Sequence, residues 1–157
     1  MRLLAIDPGN VQSAAVLMDG DKVEDMRLQA NHDLLQIVRW VDADHLAIEC
    51  MQNYGMSAGR SIFDTATWAG RFIEAFCDGD DTLFTQLPRP EVKRIVCGKV
   101  RGAGDKDVRD ALIKRYGGSK STAVGVKAKP GPLYGIKKDI WAALAVGVAY
   151  RDTLNAG

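Results

Sequence analysis

The chain has 157 residues, 46% of them hydrophobic, which is enough to bury the core of one domain of ordinary size. It holds no apolar run of about 18 residues and no basic-then-apolar N-terminal stretch, so neither a membrane span nor a secretory leader is expected. The net charge of +1 conceals a split: residues 1–85 carry 6 Lys/Arg and 14 Asp/Glu, residues 86–138 carry 14 and 4, and residues 139–157 carry 1 and 2. Unless these blocks mix in space, one face is built to meet polyanions.

Along the chain, Leu3–Ile6 is a short apolar run and reads as a buried strand over residues 2–7, stopped by Asp7-Pro8-Gly9. Residues 13–18 read as a second strand. Asp19-Gly20 is a hairpin signal, and residues 22–28 form a third strand, giving an antiparallel meander. Asn31 reads as the N-cap of a helix running to about Val41, and HLAIEC (45–50) returns as a strand. Residues 59–77 carry apolar groups at helical spacing. Residues 82–87 read as a fifth strand, and Pro90 opens a short helix over EVKRIVCG. A further helix spans 107–116 and ends at Gly117-Gly118. Residues 117–138, rich in Gly, Ser, Lys and Pro, read as a flexible basic loop. Residues 139–153 close the chain as an Ala-rich apolar helix. This order predicts an α/β fold: a mixed five-stranded sheet, three strands antiparallel and then parallel ones, flanked by helices on both faces. No repeat marks a second domain.

Cys50, Cys77 and Cys97 are an odd count without CxxC or Cys/His spacing. They read as buried or free thiols in a reducing compartment, so a cytoplasmic location is expected. With only His32 and His45, a zinc site is not expected.

Three acids stand apart. Asp7 ends the first strand, Glu49 sits near the end of HLAIEC, and Asp139 opens the apolar closing helix. Each has an ordinary reading: a turn former, the start of a loop, a residue favouring its own helix dipole. In the predicted sheet the first and fourth strands are neighbours, which brings the three together. Like charges do not sit together unpaired, and hard carboxylate oxygens suit Mg²⁺ or Mn²⁺.

The ordered set LLAIDPGN…HLAIECMQ…VKRIVCGK…GDKDVRDAL…KKDIWAALAVGVAY resembles the RuvC-type Holliday junction resolvases of the RNase H-like fold, and most of all the small RuvC-like proteins of phages. The likeness runs from Met1 to about Tyr150. It implies a nuclease centre of four acids holding two Mg²⁺ ions, with Mn²⁺ as a substitute. Asp7, Glu49 and Asp139 match three of these acids. The fourth position, three residues after Asp139, is Ala142, which leaves Asp105 and Asp107 as candidates; Asp110 reads as helix surface. Lys93 and Lys106 match the family's basic residues near the scissile phosphate. Tyr54 is the aromatic nearest the family's wedge, but its register is off.

By this resemblance the chain is a metal-dependent endodeoxyribonuclease that nicks four-way junctions in symmetric pairs, leaving 5′-phosphate and 3′-hydroxyl ends. Two ions about 4 Å apart serve the two sides of an in-line displacement. Lys93, Arg94, Lys99, Arg101, Lys106, Arg109, Lys127, Lys129, Lys137 and Lys138 would contact the DNA backbone, making binding steeply salt-dependent. The junction's near two-fold symmetry calls for a homodimer. Helix 59–77, with Ile62, Phe63, Trp68, Phe72 and Phe76, is the candidate contact. Two rivals share the fold: a YqgF-like RNA nuclease and a branched-DNA-binding module without catalysis. An actin-like ATPase needs a duplicated domain that 157 residues cannot hold, so no nucleotide cofactor is expected.

Overall fold

Side chains alternate across a strand, and that parity decides where the acids of this chain point. The computed structural model describes residues 1–53, 55–98 and 101–157. Tyr54 and Lys99 lie outside the described residues. In chain order the elements are β1 (Arg2–Asp7), β2 (Gln12–Asp19), β3 (Lys22–Ala30), α1 (Asn31–Trp40), β4 (His45–Cys50), α2 (Arg60–Cys77), β5 (Phe84–Pro88), α3 (Arg89–Cys97), α4 (Asp105–Tyr116), α5 (Lys120–Ala123), β6 (Gly125–Val126), β7 (Lys129–Pro130) and α6 (Ile140–Ala156). A single 3₁₀ turn over Asp81–Leu83 precedes β5. The main sheet has the order β3-β2-β1-β4-β5, antiparallel through β1, β2 and β3 and parallel through β1, β4 and β5. This is the mixed sheet expected from the sequence.

Two cores sandwich the sheet. Leu4, Ile6, Leu46 and Ile48 face α1 and α2, packing with Leu34, Leu35, Val38, Ala69 and Phe72. Leu3 and Ala47 face the other way, into a core with Leu112, Ala143, Leu144 and Val148. Asp7 continues the series of Leu3, and Glu49 that of Ala47. Ile6 pairs with Ile48 across the parallel strands. The next residues are the two acids, which leave the sheet side by side on its α6 face.

α6 comes unusually near that face. A Cβ on Gly147 would stand 2.6 Å from Met18 Sδ and 3.0 Å from Ala5 Cβ, so only glycine permits the approach. The helix is buried on nearly all sides from Ile140 to Tyr150, which explains its uniformly apolar, Ala-rich composition.

The Pro8–Val11 turn is held by a small polar network. Gly9 N–H donates to Ser13 Oγ (2.9 Å), Ser13 Oγ donates to Asn31 Oδ1 (2.6 Å), and Asn31 Nδ2 donates to the Gly9 carbonyl (2.9 Å). Ser13 and Asn31 are both buried. A Cβ on Gly9 would meet the Gln12 carbonyl oxygen at 2.1 Å, so this position too requires glycine. Asn31 is therefore not the N-cap expected from its place before an apolar run. Ala30 holds that place without a side-chain cap, and Asn31 reaches back to the turn after Asp7 instead.

Residues 117–138 depart from the irregular loop expected of their composition. They contain α5 and the β6–β7 hairpin, and they bury Ala123, Leu133 and Ile136. Gly131 N–H bonds to the Val124 carbonyl, and Leu133 N–H to that of Ala123. α4 begins at Asp105, earlier than expected, because Gly104 caps it and Asp107 Oδ2 accepts from Gly104 N–H at 2.8 Å. On α2, Phe72 is buried, and Trp68 and Phe76 pack against the core; Phe63 stays exposed. The excess apolar surface is thus confined to the first turns. Among the described residues no helix is long and apolar enough to cross a membrane.

Replacing Asn31 by Ala leaves the Gly9 carbonyl without its donor and the Ser13 hydroxyl without its acceptor. The expected cost is about 2–3 kcal/mol, read as a lower urea midpoint with unchanged slope. A loss below about 0.5 kcal/mol would show that the network does not hold the turn.

Candidate active site

Strand register delivers two of the acids and helix packing the third. Glu49 and Asp139 line one cavity together with Arg89, Val92, Lys93, Asp105, Val108, Arg109, Lys138, Trp141, Ala142 and Ala145. Asp7 lies beside this cavity and feels the charges of Glu49, Arg89, Asp139 and Asp105. Lys138 adopts a left-handed backbone (φ 47°), which turns the chain sharply just before Asp139. Such a conformation is strained for a residue with a Cβ and is held in place by Ile136 and Ile140 buried on either side.

The electrostatics of the cluster follow from this crowding. Burial is the largest influence on Asp7, and the Glu49 charge is the next. Asp139 and Asp105 add to them while Arg89 works the other way, and the Asp7 carboxyl is pushed up to about 8. Glu49 is only 8% exposed. Its Oε1 accepts from Arg89 Nε at 3.1 Å. Arg89 Nη1 and Lys93 Nζ also approach Asp105 Oδ1, at 3.5 and 3.6 Å.

Arg89 is the site residue that the sequence did not single out. It follows β5 directly, and Glu49 pairs with Leu87 in the β4–β5 ladder. The residue after Pro88 is thereby brought to the end of the Glu49 strand. The available signal was an arginine at a strand-to-helix junction, which means little until the order of the strands is known.

The other candidate residues divide by position. Asp105 enters the cavity; Asp107 is turned to the Gly104 backbone. Lys93 lines the cavity, but Lys106 points away from it and pairs with Asp110 at 2.7 Å. Lys106 shares a separate groove with Arg109, Asp110, Ile113, Gly118, Ser119 and Lys120. Arg109 borders both cavities, with its guanidinium over the Trp141 ring. Arg94 pairs with Glu91 at 3.8 Å. Arg101, Lys127, Lys129, Lys137 and Lys138 are exposed. Ala142 lines the cavity where the resemblance calls for an acid.

Among the described residues, no three His, Cys, Asp or Glu side chains are gathered as a ready-made metal site. The donor chemistry nevertheless suits a hard divalent ion. Asp7, Glu49 and Asp139 are carboxylates from three elements, and the first is destabilised as an anion by the other two.

In the absence of metal, the raised Asp7 carboxyl makes stability fall with pH. The folded state holds a proton that the unfolded state has already lost from about pH 4 up to about pH 8. Stability is therefore lost across that window and levels off above it. Asp7→Asn should flatten this dependence and stabilise the chain at pH 9 in EDTA by at least about 1 kcal/mol. Parallel pH profiles of the melting temperature for the two proteins would contradict the burial of an unbalanced charge at Asp7.

No family model matches the chain, and no curated protein sequence matches it. Solved structures do. The chain superposes on Thermus thermophilus RuvC in complex with a Holliday junction substrate with a TM-score of 0.69 and 13% identity, covering 100% of this chain and 96% of that one. On a second structure of Thermus thermophilus RuvC the TM-score is 0.72 at 13% identity, covering 100% and 97%. At that identity the likeness is one of fold, and along its whole length the chain is similar in fold to RuvC.

Proposed function

We propose that the chain is a metal-dependent endonuclease acting on branched DNA, with the four-way junction as its substrate. The observation that carries this reading is the composition of one cavity. Carboxylates of Glu49, Asp139 and Asp105 lie within it beside Asp7, and the cations Arg89, Lys93, Arg109 and Lys138 surround them. Acids at strand ends suit metal ions, and a cationic border suits a phosphodiester. The likeness in fold to a RuvC solved with a Holliday junction substrate supports the choice of DNA and of its shape.

Asp7, Glu49 and Asp139 would hold divalent ions, Mg²⁺ or Mn²⁺, which supply an activated water and neutralise the leaving oxygen. Asp105, which lines the same cavity, would complete the set in place of Ala142. Lys93 and Lys138 border the carboxylates and would take the non-bridging phosphoryl oxygens, where charge grows in the transition state. Lys106, Arg109 and Lys120, in the neighbouring groove, would hold the backbone of an adjoining arm without reading its sequence. Exposed Lys127 and Lys129 at the β6–β7 hairpin extend the cationic surface. Two copies paired through the exposed first turns of α2, where Phe63 and nearby Met56 are open to solvent, would present two sites to a two-fold substrate.

A second reading has its own observation. Ala142 stands where an acid is expected, which suits a protein that binds branched DNA without cutting it.

The two separate in one assay. A labelled immobile junction, a linear duplex, a flap and an RNA duplex are incubated with wild type and Asp7→Asn, in Mg²⁺, Mn²⁺ or EDTA. The nuclease reading expects paired symmetric nicks in the junction, only with metal, reduced at least about 10²-fold by Asp7→Asn while binding persists. Sedimentation should show a dimer that Phe63→Asp splits. Tight junction binding with no cuts in any metal would establish the binding module, and preferential cleavage of RNA would overturn the choice of substrate.

A further inference from the structure

We propose that Arg89 is an exchangeable counterion of the carboxylate cluster, competing with a divalent cation for Glu49 and Asp105. The inference rests on the metal reading given above and concerns what the site holds before the ion arrives.

Glu49 is nearly sealed from water, so its charge needs a partner. Arg89 supplies it with a bond of 3.1 Å and spans to Asp105 at 3.5 Å, so that one guanidinium ties the end of β4 to the start of α4. The pairing is built to be broken. It is one-armed, through Nε alone, whereas the strongest arginine–carboxylate pairs use two parallel bonds. The contact to Asp105 is long, and 40% of the Arg89 side chain is open to solvent. The guanidinium can therefore swing outward without unpacking the core.

A divalent ion and this guanidinium draw on the negative charge of the same two carboxylates. Glu49 Oε1 gives one lone-pair direction to Nε, and the fixed positive charge beside it opposes a divalent cation at the others. With Arg89 in place, Glu49 and Asp105 share one guanidinium as their counterion. Arg89 thus ties Glu49 to Asp105 and lowers the affinity of the site for metal below that of the same carboxylates alone.

The test is Mn²⁺ binding by calorimetry to the full chain, as wild type, Arg89→Gln and Arg89→Lys, with melting temperatures in EDTA and in saturating Mn²⁺. Arg89→Gln should bind Mn²⁺ at least about tenfold more tightly, melt lower than wild type in EDTA, and recover when Mn²⁺ is added. Arg89→Lys keeps the charge but cannot span both acids, and should fall between the two. Should Arg89→Gln fail to fold, Arg89→Lys decides, with binding a few-fold tighter than wild type as the expected result. Equal or weaker Mn²⁺ binding by the variants overturns the proposal, since a residue that only orients Glu49 for the metal would cost affinity when removed. Absence of Mn²⁺ binding to wild type and variants alike would overturn the metal reading itself, and this inference with it.

Discussion

The structure turns on a repulsion that its own sheet imposes. Parallel pairing of β1 with β4 sets Ile6 beside Ile48, and the period of two then sends Asp7 and Glu49 to the same face. After burial, the charge of Glu49 is accordingly what raises the Asp7 carboxyl most. Burial makes the conflict worse, because the water that would screen them is excluded. The site is therefore destabilised in a way that a nearby positive charge opposes, as Arg89 does for Asp7.

α6 closes the site from above. Gly147 lets it lie close against β1 and β2, and Asp139 at its N-cap reaches the cavity that Glu49 lines. The left-handed Lys138 turns the chain into that helix and leaves a cation beside the acid. β5 and α3 then bring Arg89 and Lys93, and α4 brings Asp105 and Arg109. Four cations of the basic block 86–138, Arg89, Lys93, Arg109 and Lys138, thus border the carboxylates, and the others among the described residues lie elsewhere on the surface or in ion pairs of their own.

How much of this was legible in the sequence depended on range. Short apolar runs such as Leu3–Ile6 and Leu46–Ile48 carry their own evidence, because a buried strand needs nothing beyond its neighbours in sequence to look like one. So do the Asp19-Gly20 turn and the Ala-rich closing helix. From those the sheet followed, and with it the exit of Asp7 and Glu49 from neighbouring strands. Arg89 was hidden because its role exists only after β4 and β5 have paired. Asp105 and Asp107 have the same side chain in the same basic stretch, but positions two apart point to different sides of a helix; one lines the cavity and the other caps its own helix. Lys106, one residue from Asp105, turned to Asp110 for the same reason. In 117–138 the anchors Ala123, Leu133 and Ile136 are isolated apolar residues without a period, so composition spoke louder than packing. Asn31 looked like a cap because its long-range bond to the Gly9 turn leaves no trace in spacing.

The central claim is that the Asp7–Glu49–Asp139 cluster exists to hold divalent cations. Anomalous diffraction from crystals soaked in Mn²⁺ tests it most directly. The account predicts manganese peaks among Asp7, Glu49 and Asp139, absent from crystals of Asp7→Asn. Manganese found only elsewhere, with the three carboxylates unliganded, would contradict it.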